Sequence, residues 1–260
     1  MRRTLKERRA IITGASSGIG RELARRLAQE GCHLVLVARR EDRLRRLFDE
    51  LGPMGRKVEV VPGDITDAQI RQRTVEIAST ALGGLDILVN NAGVGALGLF
   101  EHATPERLRR IMEVNFFAPV ELIRSALPSL KQGFQPIIVN ISSILGHRGV
   151  PHNSEYCASK FALHGFSEAL RAELVRYGID VLVVSPGTTE TEFFNRVLER
   201  TTAPNWPQHQ AVSAAEVARQ IVRAMRLGRH EIIPYRWGRV LCRLNRLSPR
   251  LVDWLVARYV

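Results

Sequence analysis

Thr13-Gly14-Ala15-Ser16-Ser17-Gly18-Ile19-Gly20 is the stretch that decides how this chain folds. An apolar run, Ala10-Ile11-Ile12, leads into it. Ile19, Leu23 and Leu27 follow at four-residue spacing, the period of one helix face. A strand, a glycine turn and a helix in that order make a phosphate-binding corner. Gly14 permits the tight turn, Gly18 lets the backbone approach a pyrophosphate, and Gly20 lets the helix pack closely on the sheet. The helix N-terminus offers free N–H groups and the positive end of its dipole. Ser16 and Ser17 add hydroxyl donors. A plain strand-to-helix turn uses similar residues, so the strand–turn–helix context carries the dinucleotide reading.

Outward from that corner, strand-like runs recur near 9–13, 33–38, 57–61, 86–90, 136–142, 180–184 and 231–233. Most are continuously apolar, as in Ile137-Ile138-Val139 and Val181-Leu182-Val183-Val184, which fits strands covered on both faces. Helical patterns lie between them. Leu44, Leu47 and Leu51 share a face, and Ala158, Ala162, Gly165, Phe166, Ala169 and Leu170 form a longer stripe. The expected fold is α/β: a doubly wound, Rossmann-type parallel sheet of about seven strands with helices on both faces. Residues 1–234 are expected to form one catalytic domain and 235–260 a C-terminal extension.

Composition narrows the class. The 260 residues are 45% apolar and 25% charged, a globular and not a disordered balance. No apolar run approaches the roughly 18–20 residues of a membrane span. The basic start, Met1–Arg9, runs straight into the first strand with no signal-like apolar region. Cys32, Cys157 and Cys242 are too few and scattered for a disulfide frame or a zinc site, and no metal is implied. A reducing, cytoplasmic setting is the expectation. Of the net charge of +12, Met1–Arg9 holds +4 (five bases, one acid) and Arg226–Val260 holds +6 (eight arginines, two acids).

The second strand ends in Val37-Ala38-Arg39-Arg40. A fold of this kind that takes NAD usually places an acid there for the ribose 2′-hydroxyl. Arg39 instead offers a planar cation for a 2′-phosphate, or else a solvated start to the next helix. NADP(H) is therefore the preferred cofactor and NAD(H) the second. Asp64, in Gly63-Asp64-Ile65-Thr66, could accept from an adenine amino group or cap the next helix. Asn90-Asn91-Ala92-Gly93 ends the fourth strand with small residues that permit close approach and amides that can tie strand ends together.

Tyr156 and Lys160 are four apart on a helical segment and so share a face. A free tyrosine titrates near pH 10 and is a poor base at neutrality. A nearby ammonium favours the phenolate. Lys160 is one of four lysines among 38 basic residues. Ser143 closes the fifth strand thirteen residues before Tyr156, where a hydroxyl can polarise a carbonyl. Asn115 either holds a proton-feeding water or ties a helix to a neighbouring strand.

Together these residues resemble the short-chain dehydrogenase/reductase family. The likeness runs to about residue 192 and comprises Thr13-Gly14-x-x-x-Gly18-x-Gly20, Asn90-Asn91-Ala92-Gly93, Asn115, Ser143, Tyr156-x-x-x-Lys160, and Pro186-Gly187 followed by Thr191. The resemblance implies that Tyr156 is the acid/base, Ser143 orients the substrate oxygen, Lys160 lowers the tyrosine pKa and holds the nicotinamide ribose, and Asn115 supports a proton-relay water. It implies a cofactor lined by Gly14, Ser16, Ser17, Gly18, Ile19 and Gly20, with Arg39 and Arg40 as in NADP-using members. Asp64 and Ile65 would flank the adenine, and Asn91, Ala92 and Gly93 the ribose. Pro186, Gly187, Thr189 and Thr191 would line the nicotinamide end. The substrate would be an alcohol or ketone, and the assembly a homodimer or homotetramer.

Residues 187–210 are expected to form a substrate lid, apolar through Phe193, Phe194, Val197, Leu198 and Trp206, with Leu97, Leu99 and Phe100 completing a lipophilic pocket. His147 and His152 are expected near the pocket mouth. After Pro234, Arg236, Arg239, Arg243, Arg246 and Arg250 recur at helical spacing, with Trp237, Val240, Leu241, Leu244 and Leu247 on another face. Such a basic amphipathic helix can lie on an anionic membrane or pack on the body or a second subunit. Nucleic acid is disfavoured, because the basic residues lack interleaved aromatic platforms. The competing reading keeps the fold but makes the chain a dinucleotide-binding interaction protein that works through its tail.

Overall fold

Strands that carry apolar residues on both faces need helices on both faces, and the chain supplies them alternately. The computed structural model describes residues 3–193, 197–199 and 211–259. Its first half runs β1 (Arg9–Thr13), α1 (Gly18–Gln29), β2 (His33–Ala38), α2 (Glu41–Leu51), β3 (Val58–Pro62), α3 (Ala68–Thr80) and β4 (Ile87–Asn90). The second half runs α4 (Pro105–Met112), α5 (Ala118–Lys131), β5 (Ile137–Ile141), α6 (Ser154–Leu174), β6 (Asp180–Val184), β7 (Thr189–Glu190), β8 (Val212–Ser213), α7 (Ala214–Arg226) and β9 (Glu231–Ile232). Then come α8 (Arg236–Leu247) and α9 (Pro249–Val256).

Seven strands form one parallel sheet in the order β3-β2-β1-β4-β5-β6-β9, while β7 and β8 pair separately. The order reverses between β1 and β4, and a ligand crevice opens beyond the strand ends at such a switch. One core layer packs Leu23 and Leu27 of α1 and Ile221 and Met225 of α7 on the sheet. The opposite layer uses Leu122 and Leu130 of α5 and Leu170 and Leu174 of α6. At the far end of the sheet, buried Asp86 is clasped by Arg9 at 2.7 Å. Burial alone would raise that carboxyl's pKa, but hydrogen bonds from Arg9 and the Phe134 backbone hold it below its usual range.

The sheet lies where the apolar runs put it, and α6 departs in part from its expected face. Of the stripe read from the sequence, Ala158, Gly165 and Ala169 are exposed. The inward face carries Lys160, Leu163, Ser167 and Leu170, with Glu155 and Ser159 also buried. Polar side chains point inward because partners await them: Ser167 accepts from Asn140 Nδ2 at 2.8 Å, and Glu155 pairs with buried Arg107 at 2.8 Å. Apolar periodicity therefore caught only the edge of the buried face: Leu170 is buried and Phe166 packs against the core, while Ala158, Gly165 and Ala169 face outward.

Candidate active site

The floor is laid by β1 and β4. Thr13 Oγ1 accepts from the backbone N–H groups of Asn91 and Ala92 at 2.9 and 3.0 Å. Asn91 Nδ2 donates to the carbonyls of Thr13 and Gly14 at 2.9 and 3.2 Å. The asparagine thus locks the glycine turn from beneath. A Cβ on Gly14, whose φ is +67°, would stand 2.7 Å from that amide, and one on Gly18 (φ +54°) would stand 2.9 Å from Thr191 Cγ2. Deeper in the sheet, Asn90 Nδ2 donates to Asn140 Oδ1 at 2.8 Å.

At one end, Arg40 donates to Ser16 and Ser17 at 2.9 and 2.7 Å. Glu192 lies against the same guanidinium at 3.0 Å and against Arg43 at 2.8 Å. Arg39 beside them is exposed and borders the cavity. Asp64 accepts from Thr66 and from Arg110, the latter at 2.6 Å. Burial favours its protonated form, but these hydrogen bonds outweigh it and hold the carboxyl below its usual range.

At the other end, Ser143 caps a short turn, its Oγ accepting from Leu145 N–H at 3.1 Å, and borders the cavity together with Tyr156. Lys160 Nζ donates to the Ile141 carbonyl at 2.9 Å and lies 5.7 Å from the Tyr156 ring centroid. Burial pushes the Tyr156 phenol above its ordinary pKa, the Ser143 hydroxyl opposing it. Burial pushes Lys160 down to about 8. The expected lowering of the tyrosine by the lysine is not among the influences on it in the chain alone, where desolvation dominates. Asn115 is buried in a π-helical turn, Glu113–Phe117. Its amide exchanges two hydrogen bonds of 2.9 Å with the Val94 backbone and donates to Ser159 at 3.0 Å. A Cβ on Gly93 would lie 3.3 Å from Asn115 Oδ1 and 3.7 Å from Lys160 Nζ, so the turn runs close beside both side chains.

One cavity of about 1150 Å³ joins the two ends. Gly14, Ser16, Ser17, Gly18, Ile19, Asp64, Ile65, Asn91, Ala92 and Gly93 border it, as do Pro186, Gly187, Thr189 and Thr191. Arginines and hydroxyls at one end, a glycine floor and an ammonium at the other fit an elongated anionic dinucleotide.

The short chain dehydrogenase family model matches residues 8–202. This chain belongs to the short-chain dehydrogenase/reductase family. It is 38% identical over 245 residues to an 11-beta-hydroxysteroid dehydrogenase-like 4A of Arabidopsis thaliana, a match covering 93% of this chain and 81% of that one. A short-chain dehydrogenase/reductase from Burkholderia phymatum, solved with NAD, superposes with a TM-score of 0.87 at 26% identity, covering 96% of each chain. A Burkholderia cenocepacia J2315 short-chain dehydrogenase solved with NADP gives 0.79 at 28% identity, covering 89% of this chain and 97% of that one. The chain is thus an NAD(P)-dependent oxidoreductase.

Within this dehydrogenase, other expectations sort by position. Leu97, Val197 and Phe193 reach the cavity, the Phe193 ring lying 5.6 Å from that of Tyr156. Leu99 and Phe100 do not; the chain turns outward there and leaves Phe100 70% exposed. Phe194, Trp206 and the whole 200–210 stretch lie outside the described residues. Leu198 and Glu199 join the body through backbone hydrogen bonds with Gly95 and Leu97. His147 turns away from the cavity mouth, drawn to Ser185 and Glu231. Cys157 is buried, and burial raises its pKa, so it behaves as a packed residue.

The tail supplies what sequence reasoning missed. Trp237, Leu241, Leu244 and Leu255 border the same cavity as Tyr156. Gly238 permits this: a Cβ there would stand 2.7 Å from Ile144 Cγ2, beside Ser143. Asn245 and Asp253 both engage Arg148. The apolar stripe of the tail was legible; its destination depended on contacts more than 80 residues away in the chain. No helix among the described residues is long and apolar enough to cross a membrane.

Proposed function

We propose that this enzyme interconverts an alcohol and a carbonyl on a lipophilic substrate, preferring NADP(H) to NAD(H), with Tyr156 as acid/base. The observation that carries the reading is that Ser143, Tyr156 and the Lys160 ammonium line one cavity, which also reaches Arg39. The bound dinucleotide supplies or accepts the hydride. Tyr156 moves the matching proton: its raised pKa keeps it a neutral phenol, the form that donates to a carbonyl oxygen. In the alcohol-oxidising direction the phenol must lose that proton, and an adjacent ammonium favours the phenolate. Ser143 holds the substrate oxygen in line with the phenol. Lys160 also holds the nicotinamide ribose. Asn115, pinned to Val94, acts as a positioning residue for a proton-relay water that feeds Lys160.

Arg39, with Arg40 behind it, meets the 2′-phosphate; Asp64 and Ile65 flank the adenine, and Pro186, Gly187, Thr189 and Thr191 line the nicotinamide. Phe193, Leu241 and Leu244 make the substrate side apolar, and the Arabidopsis relative is named for a hydroxysteroid, an alcohol on an apolar skeleton. Tyr156→Phe tests the assignment: turnover of a panel of ketones and alcohols falls by about 10²–10⁴-fold, while NADPH still binds. Retained turnover refutes it.

The tail favours a second role, which would stand alone if turnover proved negligible. Trp237, Val240, Leu247, Leu251 and Trp254 are exposed among exposed arginines 236, 239, 243, 246 and 250. Residues 235–260 would rest on an anionic membrane surface, on the cytoplasmic side, where three unpaired cysteines stay reduced. Pelleting with anionic vesicles, with and without that segment, tests it. The outward stripe of α6, with Phe161 45% exposed, suits burial in a homodimer or homotetramer, which sedimentation measures directly.

A further inference from the structure

Behind the reactive serine, three ligand-type side chains from separate elements meet. His147 follows the turn after Ser143, His164 lies one helical turn beyond Lys160 on α6, and Glu231 opens β9. One nitrogen or oxygen from each lies within 4.8 Å of those from the other two. His147 Nε2 is 2.8 Å from Glu231 Oε1 and 3.1 Å from Ser185 Oγ. The two imidazole centroids are 4.4 Å apart. None of the three residues borders the active-site cavity. The histidine side chains are 9% and 12% exposed and the glutamate 31%, which leaves an approach from solvent past Glu231.

His164 supplies the deciding detail. Its Nε2 lies 3.3 Å from Glu168 Oε1, on the outer side of the helix. Its Nδ1 is buried and has no hydrogen-bond partner among the described residues. A neutral imidazole that donates through Nε2 carries a bare lone pair on Nδ1. Leaving such a group buried and unsatisfied costs about 1–3 kcal/mol. A carboxylate on one ring nitrogen and a ligand position on the other is how metal-binding histidines are oriented.

We propose that His147 Nε2, His164 Nδ1 and the Glu231 carboxylate bind a divalent transition ion of the zinc class, with Glu168 orienting His164 from outside. Two imidazoles and a carboxylate suit that ion, and three protein ligands leave a fourth position for water. Ligands about 2.0–2.1 Å from a tetrahedral ion stand roughly 3.3 Å apart, so the His147–Glu231 contact opens slightly and the wider separations, within 4.8 Å, close around the ion. The ion would clip the edge strand β9 to α6 and to the segment that carries Ser143. It takes no part in hydride transfer, and the proposal stands apart from the assignment of Tyr156.

The test uses the full chain, stripped with a chelator and titrated with Co²⁺ and then Zn²⁺. One equivalent of Co²⁺ should give the visible absorption of a four-coordinate site, and Zn²⁺ should remove it. His164→Asn abolishes that signal. Glu168→Gln keeps all three ligands, alters a side chain that is 61% exposed, and weakens binding about 10–100-fold. Circular dichroism and dinucleotide binding report whether each variant is folded. No saturable binding of either ion overturns the proposal. Stoichiometric binding that His164→Asn and Glu231→Gln leave unchanged also overturns it, because the ion then sits on other residues. Should His164→Asn fail to fold, Glu168→Gln decides: unchanged affinity counts against the site and weakened affinity supports it.

Discussion

Where β1 and β4 meet the cavity, Thr13 and Asn91 share four hydrogen bonds with the backbone of the facing strand end and turn. Where α8 meets it, Trp237 and Val240 are 65% and 52% exposed, and the helix is seated through Gly238 and Cys242. The first region is held by directional bonds between buried groups. The second is held by shape and a few polar ties at Arg148 and His147. Directional bonds fix atoms to the tolerance that hydride transfer demands. Looser apolar packing suits a wall that would accept the lipophilic substrate proposed above. The difference predicts that substitutions on the floor act on chemistry and folding together, while substitutions in the tail act on what is bound.

Breaking the floor gives the largest effects. Beyond Tyr156→Phe, the most damaging single change is Gly14→Ala. It forces a side chain onto a left-handed backbone and against Asn91. Strain of this kind costs about 1–3 kcal/mol, so a lowered midpoint in urea and lost dinucleotide binding are expected together. Normal dinucleotide affinity would show that the turn yields.

Lys160→Met separates chemistry from stability. The lysine's pKa is about 8 in the folded chain, and in the unfolded chain it is near the ordinary 10.4. Between those values the unfolded chain binds more protons, so stability rises with pH across that window. At pH 7 the buried ammonium is a burden on the order of 3 kcal/mol. The variant should lose turnover yet unfold no more readily than the parent at pH 7, and its advantage should shrink by pH 9.5. Denaturant titrations at both pH values measure this.

Arg39→Asp sharpens the contrast at the cofactor's far end. Losing a charge-assisted hydrogen bond to phosphate costs about 1.5–3 kcal/mol. The ratio of kcat/KM for NADPH over NADH should drop by roughly 10–100-fold on that basis. An unchanged ratio would place phosphate recognition on Arg40 and Arg43, which Glu192 already engages. Smallest of all is Trp254→Ser on the tail. Its side chain is 56% exposed, and folding stability should move by less than about 0.5 kcal/mol. Affinity for anionic vesicles should fall. Equal pelleting of both proteins would sink the membrane role.

The same contrast explains what the sequence could tell. The places of the turn glycines were legible because Gly14 and Gly18 stand on left-handed backbone and Gly20 packs against Asn91 and the Gly14 carbonyl. Seven strands were legible because burial on both faces leaves continuous apolar runs. Tyr156, Ser143 and Lys160 were recognisable as a family pattern, and the sheet brings them to one cavity. The face of α6 was only partly legible, Leu170 and Phe166 packing inward as read, because the rest of its inward side carries serines, a glutamate and a lysine whose partners lie in other elements. His147 was misplaced for a similar reason: Glu231, some eighty residues later, pulls it away from the mouth. Phe100 promised a pocket wall and stands in solvent, because the chain turns outward at Phe100–His102.

The wall contributed by α8 and α9 has a consequence for how such a protein diversifies. A chain ending before residue 235 would retain all seven strands and the hydride machinery, yet one flank of its pocket would stand open. On the proposed reading, changes confined to residues after 234 would redraw the range of molecules accepted without touching Ser143, Tyr156 or Lys160.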